Sequence, residues 1–220
     1  MRAESRFSCC LIGEKSLLVL CAEELLRRGH EIRGVATLND EIGKWSADRT
    51  IPLVRSTKDE LAEFLSGNEC DYLFSIVNYR VLPDDTLRLP KRGAINFHDG
   101  PLPGYAGMYV TSWAIINGER DHGVSWHWMV KAVDGGGVLQ ERRFPIWPDD
   151  TATSLNTRRA PSSASARAIP RPIPDAAPVT SAVSPSNSPT VCLLSGNSRR
   201  RRRDRLLSAA SRSGEVRRGS

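Results

Sequence analysis

The chain has no CxxC pair, no apolar run near the roughly 20 residues a membrane span needs and, beyond residue 156, no lysine and no aromatic side chain. Each absence excludes something. The five cysteines (Cys9, Cys10, Cys21, Cys70, Cys192) and four histidines (His30, His98, His122, His127) are scattered, so they form no zinc pattern and no metal is expected. Buried thiols in a reducing compartment are the reading their spacing supports. The first apolar run is short and a charged turn follows it, which is not the pattern of a secretory signal. A cytoplasmic location without a membrane partner is the default expectation. The loss of lysine and aromatics divides the chain in two. Residues 1–156 hold all five Trp, all five Phe and all four Tyr, with 18 basic and 22 acidic residues; residues 157–220 hold 13 Arg, 3 acidic residues and 7 of the 14 Pro. The net charge of +6 is therefore a property of the tail and carries no information about what the folded part binds.

Along residues 1–156 strand and helix periodicities alternate. Phe7–Ile12 reads as a short buried strand, and Gly13-Glu14-Lys15 as a turn. Ser16 is expected to cap a helix whose Leu17, Leu18, Leu20, Cys21 and Leu25 recur at helical spacing. Arg27, Arg28, Gly29 and His30 end it with cations and then glycine. Ile32–Thr37 is the next strand, so the chain opens with a β-turn-α-β unit and a parallel sheet. Further strands are expected at Pro52–Val54, Asp71–Val77 (a central one), Ala94–His98, Gly123–Met129 and Gly137–Ile146. Helices are expected from Lys58 to about Leu65, with Thr57 and Glu60 as a capping box, over Pro83–Leu87, and over Met108–Asn117. The fold class is α/β: a Rossmann-like, open, mostly parallel twisted sheet with helices on both faces.

Asp149 to Leu155 begins a capped helix that is expected to stop after about one turn, because no period of 2 or 3.6 continues into residues 157–220. That Arg/Pro/Ser/Ala-rich tail, with five consecutive arginines at Arg199–Arg203, has the composition of a disordered segment. It is also what a GC-rich coding region yields when read out of frame. A plain linker and a basic nucleic-acid-binding tail are the other two readings. The folded part is net negative, so nucleic acid is expected only as a non-specific partner of the tail.

The segment Ile95-Asn96-Phe97-His98-Asp99-Gly100-Pro101-Leu102-Pro103 carries the chemistry, and Val133-Asp134-Gly135-Gly136-Gly137-Val138-Leu139 answers it. A strand presents Asn96 and His98 on one face and Phe97 on the other. Gly100, Pro101, Pro103, Gly104 and Gly107 force an irregular loop that a substrate can approach. An amide N–H beside an imidazole can stabilise an oxyanion at a tetrahedral centre. The imidazole can also move a proton near neutral pH. A carboxylate such as Asp134, if close, would orient the ring and favour its charged form. Without a nucleophilic Ser or Cys in the motif, direct transfer to an amine or to water fits better than a covalent enzyme intermediate. Singly, each residue has a plainer explanation: Asn96 satisfying a loop, His98 a structural histidine, Asp134 a turn residue.

Taken together, INFHDGPLPGYAG, WAIINGERDHGVSWHWM and VDGGGVLQ resemble the formyltransferase family, which moves the formyl group of 10-formyltetrahydrofolate onto an amine. The resemblance covers roughly residues 7–156, the expected catalytic domain 1–156. It implies that Asn96 and His98 stabilise the oxyanion and that Asp134 pairs with His98 and assists proton movement. It also implies that the pterin lies between two loops and bonds mainly to their backbone. One loop comprises Ser75, Ile76, Val77, Asn78, Tyr79, Arg80, Val81 and Leu82; the other runs from Val130 to Gly136 and includes Val133, Gly135 and Gly136. The acceptor is expected to be a small-molecule or carrier-bound primary amine. Where many members have Ser-Leu-Leu-Pro, this chain has Gly100-Pro101-Leu102-Pro103. Its Gly123–Met129 strand, with its aromatics, looks more like those of peptide-synthetase and related secondary-metabolite formyltransferases. Trp126 and Trp128 are expected in the core, with His127 on the opposite face. A hydrolase releasing formate from the same cosubstrate is the nearest alternative; it often carries an N-terminal regulatory domain, whereas the pattern here starts at about Phe7. An inactive remnant is another, because the family's last helix is expected to be cut short, exposing apolar side chains worth about 1.5–3 kcal/mol each when buried.

Overall fold

The computed structural model describes residues 6–55 and 58–159, with 58, 59 and 157–159 described by backbone alone. The arginine-rich run, Cys192 and Thr57 of the expected capping box lie outside the described residues. The apolar runs found in the sequence become seven strands: β1 (Ser8–Ile12), β2 (Glu31–Ala36), β3 (Leu53–Val54), β4 (Tyr72–Ile76), β5 (Gly93–His98), β6 (Asp121–Trp128) and β7 (Val138–Pro145). They form one sheet in the order β3-β2-β1-β4-β5-β6-β7. β1 to β5 pair in parallel, while β5–β6 and β6–β7 are antiparallel. β4, expected to be central, is the middle strand and is buried along its whole length.

Strand periodicity sorts the side chains into two cores. Cys9 and Leu11 of β1, Tyr72, Phe74 and Ile76 of β4, and Ile95 and Phe97 of β5 face helix α1 (Leu17–Arg27) and Ile42 of α2 (Asp40–Asp48). Cys10 and Ile12, Leu73 and Ala94 face the other way, against Leu61 and Leu65 of α3 (Lys58–Gly67) and Leu87 of α4 (Asp84–Leu87). Helices therefore cover both faces, as a parallel sheet requires. Cys9, Cys10, Cys21 and Cys70 are free and buried. Burial pushes the Cys21 thiol pKa up, so it packs as an inert apolar group.

Three local expectations are corrected. Ser16 stands at the N-cap of α1, but in a right-handed conformation with no side-chain cap bond, so its hydroxyl does not close the helix. α2 was not anticipated, because only Ile42, Gly43 and Ser46 of it are buried. Its start is nonetheless written locally: the Asn39 side chain accepts from Glu41 N and Ile42 N, and two acidic residues follow. The last helix does not stop after one turn. α6 (Ala152–Arg159) has eight residues, capped by Thr151 Oγ1 accepting from Ser154 N at 3.1 Å and anchored by the fully buried Leu155. It lies against α5 (Val110–Ile116), the helix expected over Met108–Asn117.

Candidate active site

The site forms where the sheet changes direction. Parallel β5 ends at His98, and antiparallel β6 returns beside it with His127 opposite Asn96 and Ser125 opposite His98. Phe97, between them in sequence, enters the α1-side core as expected. Asn96 and His98 emerge on the other face and line a cavity of about 440 Å³, a volume suited to a small-molecule ligand.

Asp134 reaches the same cavity from the β6–β7 connection. Its Oδ2 lies 3.6 Å from His98 Nδ1 and its Oδ1 lies 3.6 Å from His127 Nε2. The loop after His98 holds both partners through its backbone. Tyr105 O is 2.6 Å from His98 Nε2, and Gly107 N donates to Asp134 Oδ2 at 2.8 Å. A carbonyl only accepts, so His98 Nε2 carries hydrogen and Nδ1 is the ring nitrogen left facing the carboxylate. Gly100 makes this possible: a Cβ there would lie 2.7 Å from Tyr105 O and 3.1 Å from His98 Nε2. The glycine was expected to admit a substrate; what it admits is the neighbouring backbone. The loop is held in turn by Ser125 Oγ, which donates to Gly100 O at 2.8 Å and accepts from Leu102 N at 3.1 Å. The Tyr105 hydroxyl donates to Glu119 Oε1 at 2.7 Å.

Backbone strain concentrates here. Val77, Tyr109 and Asp134 have φ of 51°, 59° and 53°, in the left-handed region, and all three line the cavity. For a β-branched residue such as Val77 that conformation is rare and needs support from its surroundings.

Of the residues expected to meet the pterin, Ser75, Val77, Asn78, Tyr79, Val81, Leu82 and Val133 line the cavity. Ile76 does not: strand alternation turns its side chain into the α1-side core. Gly135 and Gly136 are not lining residues either. A Cβ on Gly136 would sit 1.8 Å from Trp128 O, so this glycine serves a close backbone approach. Arg80, in the same loop, lines the cavity too. Among the described residues no group of three or more His, Cys, Asp or Glu side chains could hold a metal ion. No described helix is long and apolar enough to cross a membrane.

Two side chains were missed. Trp126 is buried in the core and Trp128 packs against it, as expected, but His127 on the opposite face is no bystander. Its Nε2 is 3.1 Å from Asn96 Nδ2 and its Nδ1 is 2.9 Å from Trp128 O. Burial pushes its pKa down, against the opposing pulls of Trp128 O and the Asp134 carboxylate. The second is Asn156 of α6, which lines the cavity with a buried Oδ1 that has no hydrogen-bond partner. The alternation of His127 with two tryptophans was visible in the sequence; its register against Asn96 was not.

Comparison with known proteins supplies the family. Residues 43–171, well over half of the chain, match the family model described as formyl transferase. Among solved structures, the chain is similar to glycinamide ribonucleotide transformylase 1 from Symbiobacterium toebii (16% identity, TM-score 0.65, covering 74% of this chain and 84% of that one). It is also similar to the phosphoribosylglycinamide formyltransferase of Coxiella burnetii (23%, 0.62, 75% and 83%). A formyltetrahydrofolate deformylase from Pseudomonas syringae pv. tomato is comparably similar (16%, 0.63, 72% and 57%). At these identities the likeness speaks for a shared fold. The family match runs from within α2 through all of α6, across every residue of the His98–Asp134–Asn96 cluster, and the chain belongs to the formyl transferase family.

Proposed function

We propose that this protein transfers a formyl group from 10-formyltetrahydrofolate to a primary amine. The observation that carries this reading is the convergence of Asn96, His98 and Asp134 on one cavity, with Asp134 Oδ2 3.6 Å from His98 Nδ1. The cavity fits the cosubstrate in kind. Its β4-side wall of Val77, Val81, Leu82 and Leu87 is apolar and suits a flat ring, while Asn96, His98 and Asp134 gather the polar groups at one place.

In the reaction the amine nitrogen attacks the formyl carbon and the carbonyl oxygen becomes an oxyanion. Asn96 Nδ2–H, and the positive charge of His98 when protonated, stabilise that oxygen. The tetrahedral centre then collapses, the bond to N10 of the folate breaks, and the amine's proton passes to the leaving nitrogen. Asp134 and His98 Nδ1 form the relay for that proton, because His98 Nε2 is committed to Tyr105 O.

Hydrolysis is the same chemistry with water in place of the amine. The test is incubation of the chain with 10-formyltetrahydrofolate and a panel of amines, following tetrahydrofolate, formate and formylamide together. Formylamide with stoichiometric tetrahydrofolate is the expected result. Formate alone would make the protein a hydrolase. No tetrahydrofolate release from a folded chain would make it an inactive remnant and sink the proposal.

A further inference from the structure

His127 is the one buried histidine at the cavity that the proposed chemistry does not use. Its contacts determine its tautomer. Nδ1 lies 2.9 Å from Trp128 O, and a carbonyl only accepts, so Nδ1 bears the hydrogen. Nε2 lies 3.1 Å from Asn96 Nδ2, and an amide nitrogen only donates, so Nε2 offers its lone pair. The two bonds together require a neutral ring with one orientation. The ionisable groups that face it are Asp134, 3.6 Å away, and His98, edge-on with ring centroids 6.2 Å apart. The carbonyl that holds Nδ1 is itself fixed: Trp128 N donates to Gly137 O at 3.0 Å, and Gly136 packs directly on Trp128 O.

We infer that His127 is a positioning residue for Asn96, holding its amide with Nδ2 inward so that the second Nδ2 hydrogen is presented to the cavity. This inference rests on the reading of Asn96 as an oxyanion donor. Asparagine's two amide orientations differ little in shape. Released from His127, the side chain can turn its oxygen toward the developing negative charge, which replaces attraction with repulsion. An outer partner of this kind sets the orientation of a reacting group without touching substrate.

Two arms test it. In the ¹⁵N-labelled protein at pH 7, His127 is expected to be protonated at Nδ1 and unprotonated at Nε2; the opposite tautomer or an imidazolium overturns the inference whatever the turnover. In kinetics, His127→Phe keeps the ring volume and removes both bonds. It is expected to lower kcat about 10- to 100-fold, the range typical of losing an orienting partner, with KM for 10-formyltetrahydrofolate within about twofold. His127→Gln, which restores an acceptor near Nε2, is expected to recover most of the rate. His127→Asn, which reaches Trp128 O but falls short of Asn96, is the second variant if the phenylalanine does not fold, and is expected to lose as much. In an Asn96→Ala background the same substitutions are expected to change kcat by less than about threefold, because the residue they act through is gone. An equal loss in both backgrounds, or a loss confined to KM, overturns the inference. A wild type that releases no tetrahydrofolate counts against the proposed reaction alone, since the ¹⁵N result still decides the His127–Asn96 bond.

Discussion

The parallel and antiparallel parts of the sheet do different work. In the parallel part β4 is buried at every position, and its side chains alternate between two cores. In the antiparallel part β7 is exposed or half-buried throughout, and β6 is interrupted against it by a register shift between Trp126 and His127. The first is a scaffold with helices on both faces. In the second, β6 is still mostly buried and only β7 is a thin edge; β6 and the connection after it bring His127 and Asp134 against the end of β5. Bulges and strained backbone are common where an edge has to aim side chains rather than bury them. The site lies at the seam between the two parts.

The comparison breaks first, and by most, in the scaffold. Phe74→Ala, at the middle of β4, is expected to cost about 3–5 kcal/mol of unfolding free energy by urea titration. Phe144→Ala on β7, a half-buried site, should cost clearly less; equal losses would mean the edge is as much core as β4. At the seam the order reverses. Asp134→Asn is expected to lower kcat about 100- to 10,000-fold, the usual worth of an acid–base group, while the urea midpoint stays close to wild type. Gly136→Ala tests the edge backbone. Its Cβ has no room beside Trp128 O, so the β6–β7 connection must shift at a cost of about 1–3 kcal/mol, with activity falling further than stability. Tyr105→Phe removes the hydroxyl bond to Glu119 that anchors the loop gripping His98 and Asp134. The loss should be about 1 kcal/mol, or roughly fivefold in kcat, with KM unchanged.

The smallest effect lies back in the scaffold. Glu24 of α1 is held by Arg27 at 2.7 Å and Arg28 at 2.8 Å. Chiefly through the Arg27 hydrogen bond, its pKa falls from 4.5 to about 2. A depressed carboxyl stabilises the fold fully above its unfolded value and loses that contribution as pH falls through the folded one. Stability is therefore expected to decline from about pH 4.5 toward pH 2, and the decline should be shallower in Glu24→Gln. An identical acid limb in the variant would remove Glu24 from the account.

Much of this was legible in the residues. Short, nearly continuous apolar runs in SCCLI and YLFSI announced buried strands, GAINFH announced the strand that ends at the motif, and helical spacing after Ser16 announced α1. Asn96 and His98 were readable as one-face neighbours because strand geometry makes that local. α2 was less so, since a surface helix with three buried residues leaves a faint pattern. His127 escaped because its role depends on a register with β5 that no local rule supplies. Asn156 escaped because α6 was expected to end before it could fold against α5.

By itself the sequence determined the alternation of strands and helices, the face on which Asn96 and His98 stand, and the change of composition beyond residue 156. Those follow from periodicity and composition, which are local properties of a chain. Only the tertiary structure decided which residues meet. Gly107 N on Asp134 and His127 on Asn96 join segments that neighbour one another only once β6 has turned back antiparallel to β5, and Tyr105 O meets His98 only through the folding of the loop after β5. Hydrogen-bond partners within 3 Å or so depend on that packing, and periodicity does not encode it.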